Sequence, residues 1–183
     1  VWIAQRASSL PGAGWHETTY AEGLSLVDAL TQALLDLDLS QRPVMVLSGN
    51  SIEHAVLELA AMQARMPYVP VTTAYSLRST DFAKLRAMAE VVDPAVLFVQ
   101  DAEEYSGALA ALAAAGRTVI AVRGAAHADV LTWDDLIGTT PTADVERSIE
   151  QIDLDTVAKY MFTSGSLAEP KAVTLTQRML VTA

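Results

Sequence analysis

The chain has 183 residues, with 22 acidic against 12 basic side chains, a formal net charge of −10 and no cysteine. That balance excludes a surface built for nucleic acid or an anionic membrane, both of which need a basic footprint, and it excludes disulfides and thiol chemistry. The length suffices for one domain or one large subdomain; no apolar run reaches spanning length, and with no signal-peptide pattern the expected compartment is the cytoplasm.

Residues 1–14 read as a short apolar helix or strand closed by a turn at Pro11-Gly12. Thr18-Thr19-Tyr20 suits an extended piece, and Ser25 is placed to cap a helix whose apolar positions Leu26, Ala29, Leu30, Ala33, Leu34 and Leu37 follow the i, i+3, i+4 rule. Val44-Met45-Val46-Leu47 is uninterrupted apolar, the mark of a parallel strand buried on both faces. It ends at Ser48-Gly49-Asn50-Ser51, where a helix carrying Ile52, Ala55, Val56, Leu59 and Ala60 should begin, and Tyr68-Val69-Pro70-Val71 returns as the next strand. A second such unit runs through a helix capped at Ser79, with Phe82, Leu85 and Ala89 inward, to a strand over 95–99. A third runs through an alanine-rich helix around Tyr105, Leu109 and Leu112, stopped by Gly116, to a strand over 118–122. Thr132 caps a short helix over Trp133-Asp134-Asp135-Leu136. Alternation this regular predicts an α/β fold, an open, mostly parallel sheet with flanking helices. Residues 1–137 would form the α/β layer, the polar and turn-rich stretch 138–156 a connection, and 157–183 a strand pair.

That strand pair carries the most informative stretch, Tyr160-Met161-Phe162-Thr163-Ser164-Gly165-Ser166-Leu167-Ala168-Glu169-Pro170-Lys171-Ala172-Val173-Thr174. Thr163, Ser164 and Ser166 offer hydroxyls, Gly165 lets backbone N–H groups turn inward, and Lys171 supplies a mobile positive charge, a set suited to an anion such as phosphate. The spacing is not that of a Walker A loop. Pro170 forces the preceding residue into an extended conformation, so a strand over 171–176 should follow rather than a helix. The residues alone also allow a plain Ser/Thr-rich hairpin turn.

The run Thr-Ser-Gly-Ser-x-x-x-Pro-Lys, followed by Thr176-Gln177-Arg178-Met179-Leu180, resembles the phosphate-binding signature of the adenylate-forming acyl-CoA synthetase superfamily, the AMP-binding enzymes, and its flanks most resemble feruloyl-CoA synthetases. Tyr20-Ala21-Glu22, Leu47 to His54 and Val69 to Ser76 fall in the order such ligases show. The resemblance implies an ATP-dependent carboxylate–CoA ligase that makes an acyl-adenylate and then an acyl-CoA thioester, using ATP, Mg²⁺ and coenzyme A, with an aromatic acid such as ferulate as first choice of substrate. It further implies that Thr163, Ser164, Gly165, Ser166, Leu167, Ala168 and Lys171 hold the phosphates, with Lys171 the catalytic cation. Leu167-Ala168 stands where these enzymes usually have Thr-Gly, and Ala172 where a glycine commonly follows the lysine. Members of the superfamily are several times longer and this chain starts at Val1, so it is expected to be an N-terminal piece of the large domain, inactive without the rest of its parent chain. The competing expectation is a catalytically silent α/β scaffold whose phosphate loop has decayed.

Other candidates carry weaker signals. Gly49-Asn50-Ser51 reads as helix N-capping before it reads as an anion site, and His54 lacks a partner nucleophile or carboxylate. His16, His127 and the Asp134-Asp135 pair lack ligand spacing, so no metal site is expected. Tyr68 and Tyr75 read as packing. Arg178 is the one other basic residue expected close to the loop.

Overall fold

The computed structural model describes residues 1–7, 12–112, 116–124, 130–163 and 170–182. It opens with an antiparallel pair, β1 (Ile3–Arg6) and β2 (Trp15–Thr18), in register from Ile3 opposite Thr18 to Arg6 opposite Trp15. Pro11, half of the turn expected there, lies outside the described residues. Helix α1 (Tyr20–Asp36) starts ahead of the cap expected at Ser25. Thr19 and Glu22 form a reciprocal capping box: the Glu22 N–H donates to Thr19 Oγ1 at 3.2 Å and the Thr19 N–H to Glu22 Oε2 at 2.8 Å. Those donors, the backbone N–H first and the Thr19 hydroxyl second, hold the Glu22 carboxyl below the usual carboxylate range. Ser25 instead sits inside the helix and donates its hydroxyl to the Ala21 carbonyl at 3.1 Å.

The layer then unfolds as β3 (Val44–Val46), α2 (Ile52–Gln63), β4 (Tyr68–Pro70), α3 (Thr73–Ser76), α4 (Ala83–Val92), β5 (Val96–Asp101), α5 (Ser106–Leu112), β6 (Thr118–Arg123), β7 (Val130–Thr132), α6 (Trp133–Ile137), α7 (Ala143–Glu150), β8 (Val157–Phe162), β9 (Ala172–Thr176) and α8 (Gln177–Val181). Seven strands form one sheet in the order β7-β6-β5-β3-β4-β8-β9, every neighbouring pair parallel except antiparallel β8–β9. This is the open, mostly parallel α/β architecture that the alternating pattern predicts.

The wholly apolar run at β3 is explained by burial on both faces. Val44 and Val46 pack with Leu30 and Leu34 of α1 and Val56 and Leu57 of α2; Met45 and Leu47 pack on the other side with Leu85 and Met88 of α4 and with Tyr105. β5 divides the same way, Val96 and Phe98 to the first cluster and Leu97 and Val99 to the second. With helices over each face, neither side of β3 or β5 is left to water, and the burial of these side chains is the main stabilising term.

Two local expectations need correction. Helix α4 is not capped by Ser79: its hydroxyl accepts from the Phe82 N–H at 3.0 Å, Asp81 Oδ1 accepts from the Ala83 N–H at 3.1 Å, and the helix begins after Phe82, which has φ of 51°. Ser79 therefore shapes the turn, and Asp81 takes the first amide. The stretch 138–156 holds a helix, α7, fastened to the layer at both ends. Gln32 Oε1 of α1 accepts from the Thr142 N–H at 2.9 Å and its hydroxyl at 2.8 Å, and Ser148 donates to the Gln63 carbonyl at 2.7 Å.

Candidate functional site

Because β3, β4 and β8 are parallel, their C-terminal ends open on one edge of the sheet, the edge on which open α/β sheets bind ligands. From β8 the chain enters the hydroxyl-rich loop and comes back as β9, which begins at Ala172, one residue inside the strand expected after Pro170-Lys171. The pairing of Phe162 with Ala172 and the hydrogen bond from the Thr163 N–H to the Lys171 carbonyl at 3.3 Å bring the two ends of the loop together. The Thr163 and Lys171 side chains are both exposed at this mouth. Ser164, Gly165, Ser166, Leu167 and Ala168 lie outside the described residues.

Beside Thr163 is a cleft of about 140 Å³ walled by Val71, Thr72 and Tyr75 after β4, by Met88 of α4 and by Phe162. Its size is a fraction of the several hundred Å³ usual for a small-molecule site, so these residues supply one wall. Lys84 of α4 sits with its ammonium 4.7 Å from the centroid of the Tyr75 ring, a cation–π contact. Tyr75, expected only to pack, thus also faces the cleft. That it shares this cleft with Thr163 depends on β4 and β8 being sheet neighbours, a non-local fact; the only local signal was its position just past a strand end.

Arg178 needs correction. The antiparallel turn of β8 into β9 carries residues after Thr176 to the opposite end of the strand pair, roughly 20 Å from the loop for strands of this length. There its guanidinium pairs with Asp155 at 3.0 Å and its N–H donates to the Leu154 carbonyl at 2.8 Å, locking the entry to β8. Asp153 anchors the same turn, accepting from the Thr156 N–H at 2.7 Å, the Thr156 hydroxyl at 2.9 Å and the Asp155 N–H at 2.9 Å. These bonds, the Thr156 hydroxyl foremost, hold the Asp153 carboxyl below its ordinary value.

The end of β3 is a capped helix start. Ser51 accepts from the His54 N–H at 3.0 Å and Gln5 of β1 takes the Ile52 N–H at 2.7 Å, so side chains already occupy these donors. His54 Nδ1 lies 3.0 Å from the Gly49 carbonyl and its ring 5.7 Å from that of Tyr68, a structural placement. Asp135 is likewise engaged in capping, its N–H donating to Thr132 Oγ1 at 3.2 Å. Among the described residues no three His, Cys, Asp or Glu side chains gather as a metal site, and no helix is long and apolar enough to cross a membrane. His127 lies outside the described residues.

A larger hollow, about 470 Å³, lies away from the loop between α1 and α2, lined by Trp2, Tyr20, Leu24, Leu59, Met62 and Ile152. Its lining is mostly apolar, with Gln63 and Gln177 its amide side chains, and carries no cationic group.

The fold is an open, mostly parallel α/β sheet, with Thr163 and Lys171 at its C-terminal edge. More particularly, the chain belongs to the AMP-binding enzyme family, whose sequence profile matches residues 4–183. It is 27% identical over 176 residues to a probable CoA ligase of Humulus lupulus, a match covering 90% of this chain and 30% of the relative. Its fold is similar to that of a luciferase-like enzyme from the mealworm Zophobas morio, with a TM-score of 0.70 and 18% identity over 89% of this chain and 37% of that one. It is also similar to a benzoate CoA ligase from Burkholderia xenovorans, with a TM-score of 0.68 and 18% identity over 88% of this chain and 29% of that one. The chain thus spans about a third of the length of the proteins it matches.

Proposed function

We propose that the chain is the N-terminal part of an ATP-dependent carboxylate–CoA ligase of the cytoplasm, and that residues 163–171 form the loop that holds the phosphates of ATP. The observation that carries this reading is the closure of that loop by Thr163 and Lys171 at the C-terminal edge of a parallel sheet, in a member of the AMP-binding enzyme family. In the division proposed, 1–137 form the layer, 138–156 lead to the strand pair, and 157–183 carry the loop.

In such a reaction a carboxylate attacks the α-phosphorus of ATP, pyrophosphate leaves, and the thiol of coenzyme A then displaces AMP from the acyl-adenylate. The charge to be stabilised is that on the departing phosphates. The Thr163 hydroxyl and the backbone and hydroxyls of Ser164, Gly165 and Ser166 donate to it, and the Lys171 ammonium offsets it from the other end of the loop, the pre-organised electrostatics that such transfers require. The residues present suit a polyanion, because a hydroxyl and an ammonium stand exposed at the two joined ends of the loop. Mg²⁺ would arrive with the phosphates. An aromatic acid such as ferulate remains the first choice of substrate, in keeping with the resemblance of the flanks and with a benzoate CoA ligase among proteins of similar fold.

A second reading has a specific observation behind it. Leu167-Ala168 replaces the Thr-Gly usual in the family with a bulky apolar side chain and a residue that adopts positive φ at a cost, which favours a silent scaffold. The deciding experiment is ATP–pyrophosphate exchange by the complete polypeptide with ferulate, benzoate and a panel of other carboxylic acids. Wild-type, Lys171→Ala and Leu167→Thr/Ala168→Gly proteins are compared. The ligase reading expects exchange that falls at least about tenfold in Lys171→Ala, a barrier change of about 1.4 kcal/mol. Exchange confined to the Leu167→Thr/Ala168→Gly protein identifies a decayed loop, and silence in all three supports the scaffold.

A further inference from the structure

We propose that the ion pair between Lys159 of β8 and Glu58 of α2, seated against the ring of Tyr68, is the clasp that holds β8 in the sheet, making both charged side chains positioning residues for the loop at 163–171. The inference rests on the phosphate-loop reading given above, and asks what fixes that loop in space.

β8 is the strand that delivers Thr163, and its backbone register with the layer is short. It registers with β4 at one pair, Tyr68 opposite Lys159, whereas with β9 it pairs from Val157 to Phe162. β9 is itself the sheet edge and meets the layer only where it approaches α4. Side chains therefore add to what holds the strand pair in position. On one face of β8, Tyr160 and Phe162 pack with the cluster that contains Val71, Leu85 and Met88. On the other face, where alternation points residue 159, the strand presents Lys159 over the layer, while Met161 two residues on is exposed. The Lys159 ammonium pairs with Glu58 Oε1 and lies 6.0 Å from the centroid of the Tyr68 ring.

Burial gives the pair its leverage. The side chains of Lys159 and Glu58 are only 21% and 29% exposed, and the Tyr68 ring beneath them is 1% exposed. Partial desolvation strengthens the attraction compared with a surface pair, and it makes a broken pair worse than an absent one, because a charge is stranded. Register adds to the effect, since a one-residue slip of β8 would turn Lys159 toward the apolar cluster and Tyr160 toward Glu58. Lys159 stands four strand residues before Thr163, about 13 Å along the chain, so its ammonium acts on the loop through the backbone and not by touching the anion.

The test uses the complete polypeptide with Lys159→Met, Glu58→Gln and the charge-swapped double variant Lys159→Glu/Glu58→Lys. Two quantities are read: backbone hydrogen exchange of the peptides covering β8 and β9 against that of β3, and the KM for ATP in ATP–pyrophosphate exchange. Each single variant is expected to speed exchange in β8 by about tenfold while β3 is unchanged, and to raise the KM for ATP by about fivefold or more. The swap is expected to bring both quantities back to within about threefold of wild type, the signature of a pairwise interaction. Unchanged β8 exchange in the single variants overturns the clasp, as does a swap no better than the singles. A loosened β8 with an unaltered KM for ATP overturns the positioning role. If wild-type protein shows no ATP–pyrophosphate exchange with any acid, the ligase reading falls by itself and hydrogen exchange decides the clasp, rescue by the swap speaking for it and failure of rescue against.

Discussion

Replacing Gln32 with leucine tests whether α7 is part of the packed layer. The Gln32 side chain is 2% exposed and joins two elements: its Oε1 accepts twice from Thr142, at 2.9 and 2.8 Å, and its Nε2 donates to Asp36 at 2.8 Å. Leucine has similar volume and none of these contacts. Three bonds at about 1 kcal/mol each, offset by about 1 kcal/mol from added apolar burial, give an expected loss of about 2 kcal/mol. With a urea m-value of about 2 kcal/mol/M the unfolding midpoint should fall by about 1 M with m unchanged. The Thr142→Val variant supplies the second arm of a double-mutant cycle, and the double variant should lose less than the sum of the singles. A midpoint shift below about 0.2 M, or strict additivity, would refute the reasoning, because the amide would not then be what holds the start of α7 to α1.

Phe98 has no exposed surface and meets the ring of Trp133 edge-on at 5.9 Å between centroids, so Phe98→Ala should cost about 3–5 kcal/mol and shift the emission of Trp133 to the red. A Cβ at Gly23 would stand 2.3 Å from the Trp2 ring, so Gly23→Ala should displace Trp2 from the hollow beside α1; unchanged Trp2 emission, read with Trp15 and Trp133 replaced by Phe, would count against that packing. Asp153 has a folded-state pKa below its unfolded one. Its stabilising effect is therefore present above the unfolded value of about 3.9 and lost as pH falls through the folded value, so the stability gap between wild type and Asp153→Asn should be full at pH 7 and close below about pH 4. A gap independent of pH across that range would contradict this.

How far the sequence revealed the fold depended on how local the determining physics was. β3, α2 and β4 were legible because a strand buried on both faces must be apolar throughout, and the Ser51 cap lies next to the helix it starts. The start of α1 was obscured because Thr18 to Tyr20 reads as β-prone, although Thr19 and Glu22 carry the capping-box spacing. Helix α7 was hidden for a different reason. It buries only Val145 and Ser148, and its attachment comes from polar bonds to Gln32 and Gln63 far back in the chain. The loop itself was legible as chemistry, hydroxyls and glycine followed by lysine, but its wall was not. Tyr75 and Thr163 become neighbours only when β8 enters beside β4, and Lys159 and Glu58, 101 residues apart, only when α2 packs over that junction. Arg178 shows the converse, since closeness to the loop along the chain became distance once the strand pair turned antiparallel.

The most direct measurement is hydrogen exchange of the peptide spanning residues 160–174 in the complete polypeptide, with and without saturating MgATP, in wild-type and Lys171→Ala proteins. The account predicts that MgATP slows exchange of this peptide by about tenfold in wild type and far less in Lys171→Ala, as expected when backbone N–H groups close on a bound anion. MgATP that binds and protects other segments while leaving 160–174 unchanged would contradict the assignment of the loop.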